Sequence, residues 1–403
     1  MAVEASFQLN TVPATNGGPP EPGIPRFVSP VALGRDFRSD WGDVKDLHAM
    51  TLEELTAILG SRTRALVTRR WLYGTEPVPT ALPVRIPGVT PSAWAHLQEQ
   101  GELPRWEVAA RQRAADGTIK LAIALQGGQV ECVLIPGERR STVCVSSQMG
   151  CTRRCVFCAT ARLGFTRQLT SGEIVLQYLV AAKEAPLDRP ARNVVFMGMG
   201  EPLDNLDVVL AAEKLLLESP IPGLAAQHVT VSTSGVVPGM RRFLAEGQGR
   251  FALSLSATTD EQRARLIPHA RRWPIADLLQ TLREDPQRRQ GRRHFIAYVM
   301  WDGVNDSDED ARRLVALLEG LPAHVNLIAH NVIPDSDLRP SPPERVERFR
   351  DIVHGLGVRC LVRQSRGPDI AAACGQLALV DRRAVPAPAA GVVSGDRLEL
   401  RGG

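Results

Sequence analysis

The chain lacks any run of about eighteen apolar residues across its 403 positions, which excludes a membrane-spanning helix. Its first residues, Met1 to Pro19, lack the basic and then apolar layout of a secretory signal. Lysine is scarce, with only Lys45, Lys120, Lys183 and Lys214, so arginine carries the positive charge. The net charge of +4 permits an RNA partner without demanding one. The cysteine count is seven, an odd number that fits poorly with a disulfide framework. A reducing compartment, the cytoplasm, is expected. Two C-x-x-C pairs and a following histidine at zinc-finger spacing are missing as well.

What is present is a C-x-x-x-C-x-x-C run formed by Cys151, Cys155 and Cys158. Three thiolates on one short loop can hold three irons of a [4Fe-4S] cluster and leave the fourth iron open. Electron-transfer clusters ordinarily use four cysteines, so the missing fourth ligand is informative. An open iron can take the amino and carboxylate groups of S-adenosylmethionine. The spacing is similar to that of the radical S-adenosylmethionine (radical SAM) superfamily. Two other readings stand beside this one, a zinc site and a redox pair of Cys155 and Cys158 that leaves Cys151 unused.

With 44% hydrophobic residues the chain can bury a large core. Residues 1–46 are rich in Pro, Gly and small polar residues and read as a disordered lead-in. A helical domain is expected over 47–105. Thr51 and Glu54 form a capping box, Leu52, Leu55 and Leu59 follow at helical spacing, and further helices fall at Ser61–Trp71 and Ser92–Gln100. A β extension is expected over 106–140, turning at Asp116-Gly117. Over 141–380 the pattern alternates strand, loop and helix. Strands are expected at Thr142–Ser146, Asn193–Met197, His228–Ser232, Phe251–Leu255, His294–Met300 and His324–Ile328. Helices fall at Ser171–Lys183, Leu206–Glu218, Thr259–Leu266, Ile275–Arg283, Asp306–Glu319 and Pro342–His354. Six such units predict an α/β fold with a parallel sheet curled into a partial (β/α)6 barrel. Residues 381–403 read as a loose tail.

Function in such a barrel gathers at the carboxyl ends of the strands. The cysteine loop follows the first strand, and Gly198-Met199-Gly200-Glu201-Pro202 follows the second. Glycine lets the backbone approach a ligand, and Glu201 can accept from an ammonium. Ser232, Ser254-Leu255-Ser256 and Asn331 close later strands. Of the other cysteines, Cys132 and Cys360 lie in apolar strand-like runs and read as buried small hydrophobes.

The chain resembles the RlmN/Cfr family of radical SAM RNA adenine methyltransferases, nearer the RlmN side. The likeness runs in order from about Met50 to Leu377. It is carried by Val143–Cys151, Phe157–Thr160, Val195–Pro202, Val229–Val237, Asp302–Asp306 and Ala371–Leu377. It implies a [4Fe-4S] cluster on Cys151, Cys155 and Cys158, and two S-adenosylmethionine molecules per turnover. The contacts to S-adenosylmethionine would come from Gly200, Glu201, Ser232, Ser254, Leu255, Ser256 and Asn331. It also implies a methyl carried on Cys374, resolution by Cys144 through a transient disulfide, and Glu131 as proton acceptor. The expected product is adenine methylated at carbon 2 in 23S ribosomal RNA and in transfer RNA, with flavodoxin or ferredoxin as electron donor. Carbon 8 methylation, a divergent paralogue with another substrate, and a non-catalytic metal-cluster RNA binder are the rivals.

This chain departs from the family at Ser256, where histidine is usual, and at Ala297, where glutamate is common. Ala329-His330-Asn331-Val332 replaces Pro-Trp-Asn-Pro. The arginine run Arg288–Arg293 and the helical domain are candidate RNA contacts, although a solvated basic loop would look the same.

Overall fold

The computed structural model describes residues 45–74, 76–287, 293–334 and 336–378. The expected lead-in up to residue 44, the tail over 381–403 and positions 288–292 of the arginine run lie outside the described residues.

Strand β1 (Lys45–Asp46) precedes three helices, α1 (Leu52–Leu59), α2 (Arg62–Gly74) and α3 (Pro91–Gln100), and pairs in parallel with β2 (Gly101–Glu102). Helix α1 starts where expected because Thr51 Oγ1 accepts from the Glu54 amide at 3.1 Å while the Glu54 carboxylate accepts from the Thr51 amide at 2.8 Å. Leu52, Leu55 and Leu59 are buried, and Gly60 ends the helix in the left-handed conformation. Glu218 ties this region to the barrel, accepting from the Leu52 amide at 2.9 Å and pairing with buried Arg69 at 2.7 Å.

Next come β3 (Glu107–Arg113), β4 (Ile119–Leu125), β5 (Gly128–Ile135) and β6 (Ser141–Cys144). A small antiparallel hairpin of β7 (Gln148–Gly150) and β8 (Phe165–Gln168) encloses α4 (Ala159–Arg162). Helix α5 (Ser171–Ala182) leads to β9 (Ala191–Phe196), α6 (Leu206–Leu217), β10 (Val229–Thr233), α7 (Val237–Glu246) and β11 (Arg250–Ser254). The chain continues through α8 (Asp260–Leu266), α9 (Ile275–Arg283), β12 (His294–Met300), α10 (Asp308–Leu317), β13 (Ala323–Ala329), α11 (Pro343–Gly355) and β14 (Cys360–Arg363).

Ten strands form one sheet in the order β14-β13-β12-β11-β10-β9-β6-β5-β4-β3. The ends, β14 and β3, are not paired with each other, so the barrel is open. From β6 to β14 every pairing is parallel. This gives one parallel strand more than the six expected, because the short apolar run at Cys360 joins the edge. Helix α7 was also not foreseen. Pro238 and Gly239 sit in its first turn, where proline is tolerated, and break the helical reading of the sequence. Helix α10 begins later than expected because Ser307 caps it, accepting from the Asp310 amide at 3.0 Å.

The register of the antiparallel strands sorts side chains between two faces. Lys120 lies opposite Val133, Ala122 opposite Glu131, and Val133 opposite Cys144. Directly paired residues share a face and neighbours in sequence do not. Lys120, Glu131 and Cys144 therefore share one face. Cys132 takes the other, its thiol 3.9 Å from the Gln177 carbonyl of α5.

Candidate active site

The loop between β7 and α4 carries Cys151, Cys155 and Cys158, all half-buried. It is folded by its own backbone. The Cys151 amide bonds Gly164 O at 2.8 Å, the Cys158 amide bonds Cys155 O at 3.2 Å, and the Val156 amide bonds Leu266 O at 3.1 Å. Gly150 is required at the start, since it has φ +79° and a Cβ there would meet Gly164 O at 2.0 Å. Arg153 and Thr152 both bond the Asp204 carboxylate and pin the loop to the segment after β9.

Burial pushes the Cys151 thiol up to about 12, with Cys158 and Glu201 adding to the shift. Cys155 is raised by the same burial and by the other two thiols. Such a group ionises only when a strong cationic centre stands among its members. Among the described residues no three His, Cys, Asp or Glu side chains stand close enough together to grip a single ion. A four-iron cluster is wider than one ion.

Glu201 is buried and faces this loop, where its charge is felt at Cys151 and Cys155. One carboxylate oxygen accepts from the Leu203 amide at 3.1 Å. The other accepts from the Ser234 amide at 2.8 Å and Ser234 Oγ at 2.7 Å. A carboxylate has about four acceptor positions, so one remains for an ammonium. Gly198 and Gly200 allow the close approach. A Cβ on Gly198 would come within 2.7 Å of Ser146 Oγ, and one on Gly200 within 2.6 Å of Gln148. The residues present therefore fit a cluster with an amino acid bound beside it.

Ser232 and Ser254 stand with their hydroxyls 3.5 Å apart at adjacent strand ends. Arg263 organises this rim, a residue that sequence reasoning missed. It is buried, donates through Nε to Leu255 O at 3.2 Å and through Nη2 to Ser254 O at 3.2 Å, and also bonds Ser234 O. Burial lowers its guanidinium to about 10, still charged at neutral pH. On a short polar helix it reads as a solvated arginine, and only the tertiary fold shows otherwise.

Ser256 sits in the turn that follows β11. It holds φ +52°, is fully buried, and its Oγ accepts from the Val299 amide at 3.3 Å. Its carbonyl accepts from Asn305 Nδ2 at 2.9 Å. His330 packs against Trp301 with ring centroids 5.7 Å apart, and Trp301 against Phe157 at 4.9 Å, beside the cysteine loop. Burial lowers the His330 pKa, so the ring is neutral at pH 7. Ala297 lies in β12 and accepts from the Leu255 amide at 3.0 Å.

Cys374 lies on a segment after β14 that distant parts of the chain hold in place. Asn331 Nδ2 donates to Cys374 O at 3.1 Å, so this side chain supports Cys374 directly. The Ala159 amide donates to Gly375 O at 2.7 Å, and Thr160 Oγ1 to Leu377 O at 2.6 Å. Lys120 Nζ donates to Ala371 O at 3.1 Å. The residue is exposed at the surface, yet surrounding protein raises its thiol pKa, with Cys158 contributing. These two facts describe a concave site open on one side. Cys144 is buried and its thiol is raised by burial and then by Cys374. The implied disulfide is not formed, and all seven cysteines are free thiols. Glu131 is buried on the same face as Cys144 and pairs with Lys120 at 3.2 Å.

The radical SAM superfamily model matches residues 145–315, which hold the cysteine loop and Glu201. The chain is 44% identical over 358 residues to the dual-specificity RNA methyltransferase RlmN of Anaeromyxobacter dehalogenans, covering 85% of this chain and 93% of that one. It is 48% identical to the RlmN of Paracoccus denitrificans over 70% of this chain and 75% of the relative. A solved radical SAM methyltransferase from Sphaerobacter thermophilus superposes with a TM-score of 0.75 and 39% identity, covering 83% of this chain and 99% of that structure.

An open parallel barrel with three cysteines on the loop after its first parallel strand defines a radical SAM enzyme, a class whose cofactors are a [4Fe-4S] cluster and S-adenosylmethionine. The thiols Cys144 and Cys374 lie beyond what that general class requires. Within the class, the chain belongs to the RlmN family of RNA methyltransferases. No described helix is long and apolar enough to cross a membrane.

Proposed function

We propose that this chain methylates carbon 2 of an adenine in 23S ribosomal RNA and in transfer RNA, with Cys374 as the intermediate methyl carrier. The observation that supports the reading is that the Cys374 segment is bonded to Ala159 and Thr160, directly after the cysteine loop, while Cys144 and Glu131 share one face of the sheet. Carbon 2 of adenine is electron-poor, so polar methyl transfer to it fails and a radical route is needed. A [4Fe-4S] cluster held by Cys151, Cys155 and Cys158, with S-adenosylmethionine bound beside it, would supply the 5′-deoxyadenosyl radical and the one-electron chemistry of that route.

The residues of the chain do the rest. Cys374 loses its thiol proton and accepts a methyl from a first S-adenosylmethionine, since a thiolate is a strong nucleophile. One hydrogen atom of that methyl would pass to the 5′-deoxyadenosyl radical, giving 5′-deoxyadenosine; the remaining carbon bonds to carbon 2, and the one electron that the adduct must shed would return to the bound cofactor. The proton on carbon 2 passes to the Glu131 carboxylate. Cys144 then attacks the Cys374 sulfur. As the new S–S bond forms, the bond from sulfur to the transferred carbon breaks and its electron pair stays with the base. Protonation gives the methyl group, and a dithiol reductant resets the two cysteines. Glu201 orients the cofactor's ammonium, with Ser232, Ser254, Leu255 and Gly200 lining its bed and Asn331 fixing Cys374. A low-potential electron carrier such as flavodoxin or ferredoxin, in a reducing cytoplasm, completes the system.

Nucleoside mass spectrometry of ribosomal and transfer RNA from cells with and without the gene tests the proposal. Loss of 2-methyladenosine from both pools is expected. Loss of 8-methyladenosine would move the activity to carbon 8. An unchanged pool, with the protein expressed and its cluster intact, would overturn the reading. A Cys374→Ala variant separates the enzyme from a simple RNA binder, because only the enzyme loses its function.

A further inference from the structure

Lys120 is one of four lysines in the chain and sits in the apolar strand Ile119-Lys120-Leu121-Ala122-Ile123. It is 4% exposed, and a lysine this buried needs partners. It has two. Nζ lies 3.2 Å from Glu131 Oε1 and 3.1 Å from the carbonyl of Ala371, three residues before Cys374. Lys120 and Glu131 are diagonal neighbours on the face that also bears Cys144. Ala371 itself holds φ +50°, an uncommon conformation for alanine, in the turn that brings its carbonyl to the ammonium.

We propose that Lys120 is the positioning residue for resolution of the RNA adduct: its one ammonium meets the Glu131 carboxylate at 3.2 Å and the Ala371 carbonyl at 3.1 Å, and so fixes the base relative to the Cys374 segment. The inference rests on the radical methylation proposed above. Lys120 comes from β4, Glu131 from β5 and Cys144 from β6, all on one face of the sheet. The first methylation does not depend on it, because Asn331, Ala159 and Thr160 also hold the Cys374 segment.

The test uses the full-length, cluster-loaded protein as wild type, Lys120→Met and Lys120→Arg. Methyl on Cys374 is read by intact-protein mass, RNA product by nucleoside mass spectrometry, and the protein–RNA adduct on denaturing gels. For Lys120→Met, Cys374 methylation is expected within about twofold of wild type. RNA product should fall about a hundredfold, within the usual contribution of a general base, and adduct should accumulate. Lys120→Arg should restore most of the product. Wild-type product formation in Lys120→Met would overturn the proposal. So would a parallel fall in both methylations, which would mark a purely structural lysine. A wild-type protein that never methylates Cys374 would instead overturn the underlying reaction scheme.

Discussion

The two sulfur-bearing segments of the site are built in opposite ways. The cysteine loop is held largely by its own neighbourhood, through the Cys151–Gly164 and Cys158–Cys155 backbone bonds, with Asp204 and Leu266 as outside anchors. The Cys374 segment makes its fixing contacts with Asn331, Ala159, Thr160 and Lys120, on three separate stretches of the chain. A cofactor loop that must grip a rigid cluster can be encoded locally. A cysteine that must meet first a methyl donor, then a base, then Cys144 is tethered from several sides and left open to solvent on another. The difference teaches that damage to the first segment should be all-or-none, whereas damage to the second should be graded by step.

The largest effect should come from Cys155→Ala. The cluster's absorption and both methylations should vanish together, and chelating iron from the wild-type protein should do the same. Cys374→Ala should keep the cluster spectrum and lose all RNA product. A cluster lost along with Cys374 would erase the contrast between the two segments. Next, Cys144→Ala should leave Cys374 methylation intact and trap protein–RNA adduct, visible on a denaturing gel. Asn331→Ala loosens one tether of four. It should cut RNA methylation by roughly tenfold, less than the ~100-fold that misplacement of a reacting group can produce. The smallest effect belongs to Thr51→Ala, which removes the α1 cap. It should cost about 1 kcal/mol of stability in a denaturant titration and leave the rate of the chemistry unchanged.

The same contrast governs how much the sequence made legible. The cysteine loop, the glycine turn before Glu201 and the capping box at Thr51 are short-range patterns, and the structure shows these turns and this cap as expected. Arg263 and Lys120 were not legible, because their roles depend on strand ends and on a segment about 250 residues away. The Ser256 hydroxyl accepts from the Val299 amide, a contact set by the turn of the backbone at φ +52° and invisible in residue order. Helix α7 was hidden by Pro238 and Gly239, and β14 by its shortness.

Glu131 and Cys132 are adjacent in sequence and belong to different chemical compartments. Strand parity acts here as a sorting device in a protein with seven reduced thiols. It presents Cys144 to Cys374 and turns the equally buried Cys132 toward a helix carbonyl. A slip of one residue in β5 against β4 would leave the fold's hydrophobic content nearly unchanged, yet offer the methylating centre a wrong thiol and no carboxylate. Accuracy of strand register is therefore a condition of chemical fidelity as well as of stability.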